Sequence, residues 1–237
     1  MTLIETLQAF HRQEVTFIQL LRAIVSYDSW LLPTRNDQPL LALHQEQQLL
    51  LLFTSEESFS SQHTDDVQST TQTGRWLSEN ISESIDVIVV DSGQPHSLQL
   101  PSKYFPIFQK ITAAHQLERL LEGNDTQQNV TTRLTSYPHY LVPIVQDSDG
   151  LTHVTLAPDS QGRQFAAVFT AEDNLQAFIS ASQQMLGDEL KVHEISGREL
   201  FNNLSQLSIE GVVFNCYGPV QPRAISKEFV DILSKQK

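Results

Sequence analysis

The sequence predicts an α/β (α+β) protein built from two related mixed-sheet units, each preceded by a helix. Two observations carry that expectation. Phe165-Ala-Ala-Val-Phe169-Thr170-Ala171-Glu172-Asp173 is echoed upstream by Leu49-Leu-Leu-Leu52-Phe53-Thr54-Ser55-Glu56-Glu57. Each is an apolar run of strand length followed by Phe-Thr, a small residue and two acids, the pattern of a strand running into a capped helix. Around both copies the neighbouring segments recur in the same order, which points to an internal duplication.

In chain order, residues 3–27 read as one amphipathic helix, with Leu3, Leu7, Phe10, Phe17, Leu21 and Ile24 on one face. Trp30-Leu-Leu-Pro33 opens the first unit. Leu40–Leu43 and Leu49–Phe53 form a hairpin across His44-Gln-Glu-Gln-Gln48, and the second strand, apolar on successive residues, belongs at the centre of a covered sheet. Thr54 is expected as a helix N-cap with Glu57 in the capping-box position. Residues 62–73 read as a loop or poor edge strand, Gly74-Arg75-Trp76-Leu77 as a short helix and Ile85–Val90 as a buried strand that pairs with Leu98–Leu100. A long helix then runs from Ser102 to a C-cap at Gly123-Asn124.

The second half repeats this. Tyr140-Leu-Val-Pro143 answers Trp30-Leu-Leu-Pro33, Asp147-Ser-Asp-Gly150 is a turn, and Leu151–Leu156 with Phe165–Phe169 is the hairpin. Thr170 with Asp173 repeats the cap, and Lys191–Ile195 is a short strand. Gly197-Arg198-Glu199-Leu200-Phe201 answers Gly74, Ile209–Phe214 the Ile85 strand, and the helix from Ser226-Lys227 that at Ser102-Lys103. The offset drifts from 110 residues (Trp30 to Tyr140) to 124 (Ser102 to Ser226), as loop insertions produce. The boundary is placed in the polar stretch that begins at Asp125, giving units 1–124 and 125–237.

Composition excludes several functions. With 15 Lys and Arg against 28 Asp and Glu, the net charge of −13 is unsuited to nucleic acid or an anionic membrane surface. The longest apolar run, Leu49–Phe53, is far short of the roughly 20 residues of a spanning helix. The single cysteine, Cys216, forms no internal disulfide, and with no signal-peptide pattern at the N-terminus the expected compartment is the cytoplasm.

The second half resembles the SseB family (enhanced serine sensitivity), specifically its N-terminal domain. The resemblance rests on a helix leading into aromatic-Leu-x-Pro, the strand-Phe-Thr-x-Glu turn, Gly197-Arg-Glu-Leu-Phe201, Ile209-Glu-Gly-Val-Val-Phe-Asn215-Cys-Tyr-Gly218-Pro219 and Ser226-Lys-Glu-Phe-Val-Asp-Ile-Leu233. The first half keeps the outline but has Asp91-Ser-Gly-Gln-Pro95 in place of Asn215–Pro219, so it reads as the more divergent of two tandem copies. The family takes its name from a bacterial phenotype and has no assigned reaction, so the resemblance implies a fold more than an activity.

The foremost candidate site is the turn Asn215–Pro219, just after a buried strand, where α/β folds tend to place ligands. Asn215 and Tyr217 offer polar contacts there, and Arg198 or Arg223 could meet an anion. Turn chemistry alone is the competing reading. Cys216 lacks an identifiable activating base, and the Asp147 turn lacks the distal ligands of a calcium loop. No metal or cofactor signature occurs, so neither is expected. The reading is a non-catalytic interaction or regulatory protein that binds a protein partner through the cleft between units or an exposed strand edge. A homo-oligomer is open to it. Beside this stand a small-molecule binder or weak enzyme using the Asn215–Pro219 turn and a chaperone-like partner of a secretion system.

Overall fold

A computed structural model describes residues 1–62, 66–123, 125–146, 152–186 and 190–236. The chain divides into two compact units, Met1–His115 and Gln116–Lys237. Both mix helices with antiparallel and parallel strand pairs, the class that the sequence predicts.

Unit 1 opens with two helices, α1 (Leu3–His11) and α2 (Phe17–Ser26), where the apolar stripe alone suggests one. The break has local causes. Gln13 takes a left-handed φ of 62°, and Thr2 and Thr16 each close a capping box, with Glu5 and Gln19, so each helix has its own start signal. The buried stripe continues on the far side through Leu20, Leu21, Ile24 and Val25.

The strands of unit 1 form two sheets. In the first, β1 (Trp30–Arg35) lies between β2 (Gln38–Pro39) and β5 (Gln68–Gln72). In the second the order is β3 (Leu41–His44), β4 (Gln47–Leu52), β6 (Val87–Val90) and β7 (Leu98–Pro101). Only the β4–β6 pair is parallel. The β3–β4 hairpin turns on Gln45 and Glu46, both left-handed, as a two-residue loop requires. Between these strands stand α3 (Glu56–Ser60) and α4 (Gly74–Asn80), and α5 (Phe105–Glu122) follows β7.

Unit 2 has the same plan. After α6 (Gln127–Ser136), β8 (Tyr140–Gln146) lies between β9 (Thr152–Val154) and β12 (Leu190–Ile195). The second sheet runs β10 (Leu156–Pro158), β11 (Gln164–Val168), β13 (Gly211–Phe214), β14 (Arg223–Ser226), again with one parallel pair, β11–β13. The helices are α7 (Glu172–Leu186), α8 (Gly197–Ser205) and α9 (Lys227–Ser234). The segment read as one hairpin strand, Leu151–Leu156, is thus divided between β9 and β10, which serve different sheets; Leu151 and the Asp147–Gly150 turn lie outside the described residues. The helix at Ser102 also corresponds one residue differently. The ladders Val87↔Pro101 and Gly211↔Ser226 bring Pro101, not Ser102, to the place of Ser226.

Matched hydrogen bonds repeat as well. Leu31 and Phe53 bridge their sheets as Leu141 and Phe169 do. Trp30 and Tyr140 are both fully buried, and each donates to a carbonyl in the helix before it, Ile24 O at 3.3 Å and Leu134 O at 3.1 Å. Burial pushes the Tyr140 phenol well above its usual range. Gly74 and Gly197 press on the same helix ends. A Cβ at either would lie 2.3 Å from Val25 O or 2.1 Å from Leu134 O, which only glycine avoids.

Candidate functional site

The segment Asn215–Pro219 leaves β13 in a turn with two left-handed residues, Asn215 (φ 56°) and Tyr217 (φ 62°). In unit 1 the corresponding turn leaves β6 with Asp91 (φ 47°) and Gly93 (φ 79°). Asp and Asn are the non-glycine residues that best tolerate this conformation, which accounts for the backbone half of their recurrence.

Their side chains account for the rest. Asp91 is fully buried; its Oδ1 accepts from Thr54 N at 2.8 Å, and its Oδ2 from Thr54 Oγ1 at 2.6 Å. His96 Nε2 lies 2.9 Å from the same Oδ2. Asn215 is equally buried and its Oδ1 accepts from Thr170 N at 3.0 Å. An amide cannot accept everything a carboxylate accepts, and unit 2 makes good the difference from elsewhere. Glu118, 4% exposed on α5, accepts from Thr170 Oγ1 at 2.5 Å and from Asn174 Nδ2 at 3.0 Å. Asn215 Nδ2 donates to Thr170 Oγ1 at 3.0 Å and reaches Glu118 Oε1 at 3.5 Å. Each unit therefore buries one carboxylate against its Phe-Thr junction, from a different point in the chain.

This corrects the expected role of the two threonines. Ser55, not Thr54, is the N-cap of α3 and accepts from Ser58 N; α7 begins at Glu172, so Ala171 rather than Thr170 precedes it. The hydroxyls of Thr54 and Thr170 face inward because a buried carboxylate is there to accept from them, a stronger bond than a neutral cap contact. In each unit a tyrosine also donates to the threonine's carbonyl, Tyr27 Oη to Thr54 O at 2.9 Å and Tyr137 Oη to Thr170 O at 2.6 Å.

The other candidate residues are dispersed. Tyr217 is 64% exposed, its ring 6.2 Å from that of Phe178. Arg223 stands opposite Phe214 in the β13–β14 ladder and is half-buried, with Nε buried and unpaired among the described residues. Arg198 is exposed in the first turn of α8, and no hydrogen bond among the described residues joins it to the Asn215 turn. The Cys216 thiol is buried and pushed up to about 11 by desolvation, so it carries almost no thiolate at neutral pH. Asn174 is fully buried, and its Oδ1 has no partner among the described residues. That oxygen faces Gly218, where a Cβ would come within 2.6 Å of it.

A surface pocket of about 390 Å³ lies elsewhere in unit 2, open to solvent and lined in part by Arg163, Phe165, Glu210 and Lys227. Its cations are already engaged. Arg163 pairs with Asp159 at 2.7 Å, and Lys227 donates to Leu204 O and Ser205 O and pairs with Asp231 at 3.3 Å. Among the described residues no group of three or more His, Cys, Asp and Glu could hold a metal ion, and no helix is long and apolar enough to cross a membrane.

With this geometry in view, comparison with known proteins is informative for one half of the chain. Residues 4–104 match the SseB protein N-terminal domain. The SseB segment lies within unit 1 and includes both of its sheets and the Thr54–Asp91 contact. It is the half that the sequence reading takes as the more divergent copy. No curated protein matches the chain. Two solved structures show a faint likeness. Anabaena Tic22 (protein transport) is 10% identical over 82% of this chain and 88% of that chain, with a TM-score of 0.25. Tic22 from Plasmodium falciparum is 11% identical over 76% and 84%, with a TM-score of 0.21. At those scores neither bears on fold or function.

Proposed function

We propose that the protein is a non-catalytic interaction protein made of two SseB-like units, the second a tandem copy of the first, and that its role is to bind another protein. The observation that supports this most is what the repeated polar residues do. Thr54 with Asp91 and Thr170 with Asn215 are polar pairs that recur in both units; Asp91, Thr170 and Asn215 are buried and Thr54 half-buried, and each pair is bonded internally through side chain and backbone. Duplication has kept a scaffold contact rather than an exposed constellation of reactive groups. A fold carries no function of its own, so this reading assigns the role to the surfaces that the scaffold holds.

The test is in-cell cross-linking of the tagged chain, followed by denaturing purification and identification of the adducts. The reading expects one protein, or a small set, cross-linked reproducibly above a tag-only control. Adducts no different from that control would remove its support.

A second reading, a small molecule held at the Asn215–Pro219 turn with Tyr217, Arg198 and Arg223, draws on the unpartnered Asn174 Oδ1 and the exposed Tyr217 ring. It expects a metabolite library to contain a compound that raises the melting temperature of the wild type. The same compound should leave Tyr217→Ala unmoved.

A further inference from the structure

The two units treat one edge of their second sheet differently. In unit 1 that edge is β3, which pairs with β4 on one side; among the described residues no strand pairs with the other. The two-residue loop makes His44 and Gln47 a hydrogen-bonded pair, so bonding alternates back along the strand and falls next on Ala42 and Leu49. The backbone N–H and C=O groups of Leu41 and Leu43 therefore face away from β4, toward the open edge. Their side chains share one face and are 37% and 75% exposed.

That face belongs to the core. Leu41 stands in a row across the sheet with Leu50, Ile88 and Leu100, which are 2%, 1% and 2% exposed. The apolar row thus runs out to the edge and ends there uncovered. Unit 2 ends the matching row with an exposed leucine too, Leu156 at 41%, and differs two residues further along the strand. Leu49↔Val87 and Phe165↔Gly211 are matching rungs, which puts Leu156 in the place of Leu41 and Pro158 in that of Leu43. Asp159 N donates to Arg163 O, so the outward positions of β10 are Leu156 and Pro158. Proline has no N–H to offer, and it is one of the means by which proteins close a strand edge. Unit 2 closes the edge at the position where unit 1 presents its most exposed leucine on this strand.

We infer that the β3 edge of unit 1 is a docking site for an extended segment of another protein, which adds a strand beside Leu41–Leu43 and sets an apolar residue against the open end of the Leu41–Leu50–Ile88–Leu100 row. This rests on the interaction reading above and names its surface. The segment is apolar at alternate residues and neutral or basic overall, because the chain it meets carries a net charge of −13. A second copy of this chain is the poorer occupant. Two such copies repel, and a four-residue strand paired with its own copy buries far less than the roughly 1,200 Å² of a stable interface. Strand addition by a flexible segment draws its affinity from main-chain hydrogen bonds and needs no such area.

The test selects random displayed 12-residue peptides on the immobilised full chain and resynthesises the binders with single N-methyl groups along the backbone. Alternating apolar residues are expected in the selected peptides. N-methylation should weaken binding at least tenfold at alternate positions and little between them. Leu43→Pro, the residue unit 2 uses, should lower affinity at least tenfold with the circular dichroism unchanged, and Leu43→Lys should act likewise if the proline variant fails to fold. The inference is overturned if no peptide is selected, if Leu43→Pro and Leu43→Lys bind as the wild type does, or if N-methylation has no periodic effect. A concentration-dependent dimer broken by Leu43→Lys overturns the choice of occupant. In the cross-linking experiment above, adducts that survive Leu43→Pro leave the interaction reading standing and remove this site; no adducts in the wild type remove that reading itself.

Discussion

Replacing Asn215 by Asp gives unit 2 the residue that unit 1 carries at the same point, and it is expected to be among the more damaging single changes in the chain. The reason is Glu118. Asn215 Nδ2 reaches Glu118 Oε1 at 3.5 Å, and both residues are almost fully buried. Two carboxylates at that separation repel by roughly 5 kcal/mol at an effective dielectric constant near 20. The pair has a cheaper outlet, which is to retain one proton between them. Holding a carboxyl protonated at pH 7 costs about 1.4 kcal/mol for each pH unit above its ordinary value near 4, or roughly 4 kcal/mol. The smaller figure governs, so the expected loss at pH 7 is about 4 kcal/mol. The folded variant then binds a proton that the unfolded chain does not, so its stability falls as pH rises above 4 and recovers as pH is lowered. Urea unfolding of wild type and variant, followed by far-ultraviolet circular dichroism at pH 7 and pH 5, should show the deficit shrinking by about 2.7 kcal/mol between the two. A deficit that is the same at both values, or below about 1 kcal/mol at pH 7, would refute the buried-carboxylate reasoning.

The double variant Glu118→Gln with Asn215→Asp transfers the carboxylate to the unit 1 position, and its unfolding midpoint should lie closer to wild type than that of Asn215→Asp alone. The reciprocal change, Asp91→Asn, leaves Thr54 N with an oxygen acceptor and brings no second charge, so it should cost about 1 kcal/mol by the same measurement. Gly197→Ala forces a Cβ against Leu134 O and should destabilise by roughly 1–3 kcal/mol, while Gly162→Ala, with nothing within 4 Å, measures the left-handed backbone cost alone. Cys216, its thiol held near 11 by burial, should resist alkylation at pH 8 in the folded protein and react at an ordinary rate once urea unfolds it.

Much of the fold was legible because its signals are local. The β3–β4 hairpin, the central strands and the glycine that opens α4 and α8 follow from apolar runs, turn residues and spacing. The break between α1 and α2 was legible too, through Thr16 and Gln19, but the uninterrupted apolar stripe outweighed a capping box inside it. The site was harder to read. Thr54 and Thr170 satisfy the local rule for a helix cap, and only contacts tens of residues away, to Asp91 and Glu118, give their hydroxyls another use. Glu118 did leave a trace, since it follows Ile111 and Ala114 at helical spacing on the buried face of α5, where an acid calls for a partner. That Leu43 and Pro158 occupy one position could not be read at all without the ladders, because the loops between the repeats differ in length.

The exchange of Trp30 for Tyr140 has a consequence for any solution study of this chain. The chain's two tryptophans, Trp30 and Trp76, both belong to unit 1, the first fully buried against Tyr27 and the second half-buried on α4. Emission excited at the red edge of tyrosine absorption therefore reports the melting of one unit alone, while circular dichroism reports both. The natural sequence already carries a spectroscopic label on the half that matches a known domain, and its twin is silent at the same wavelength.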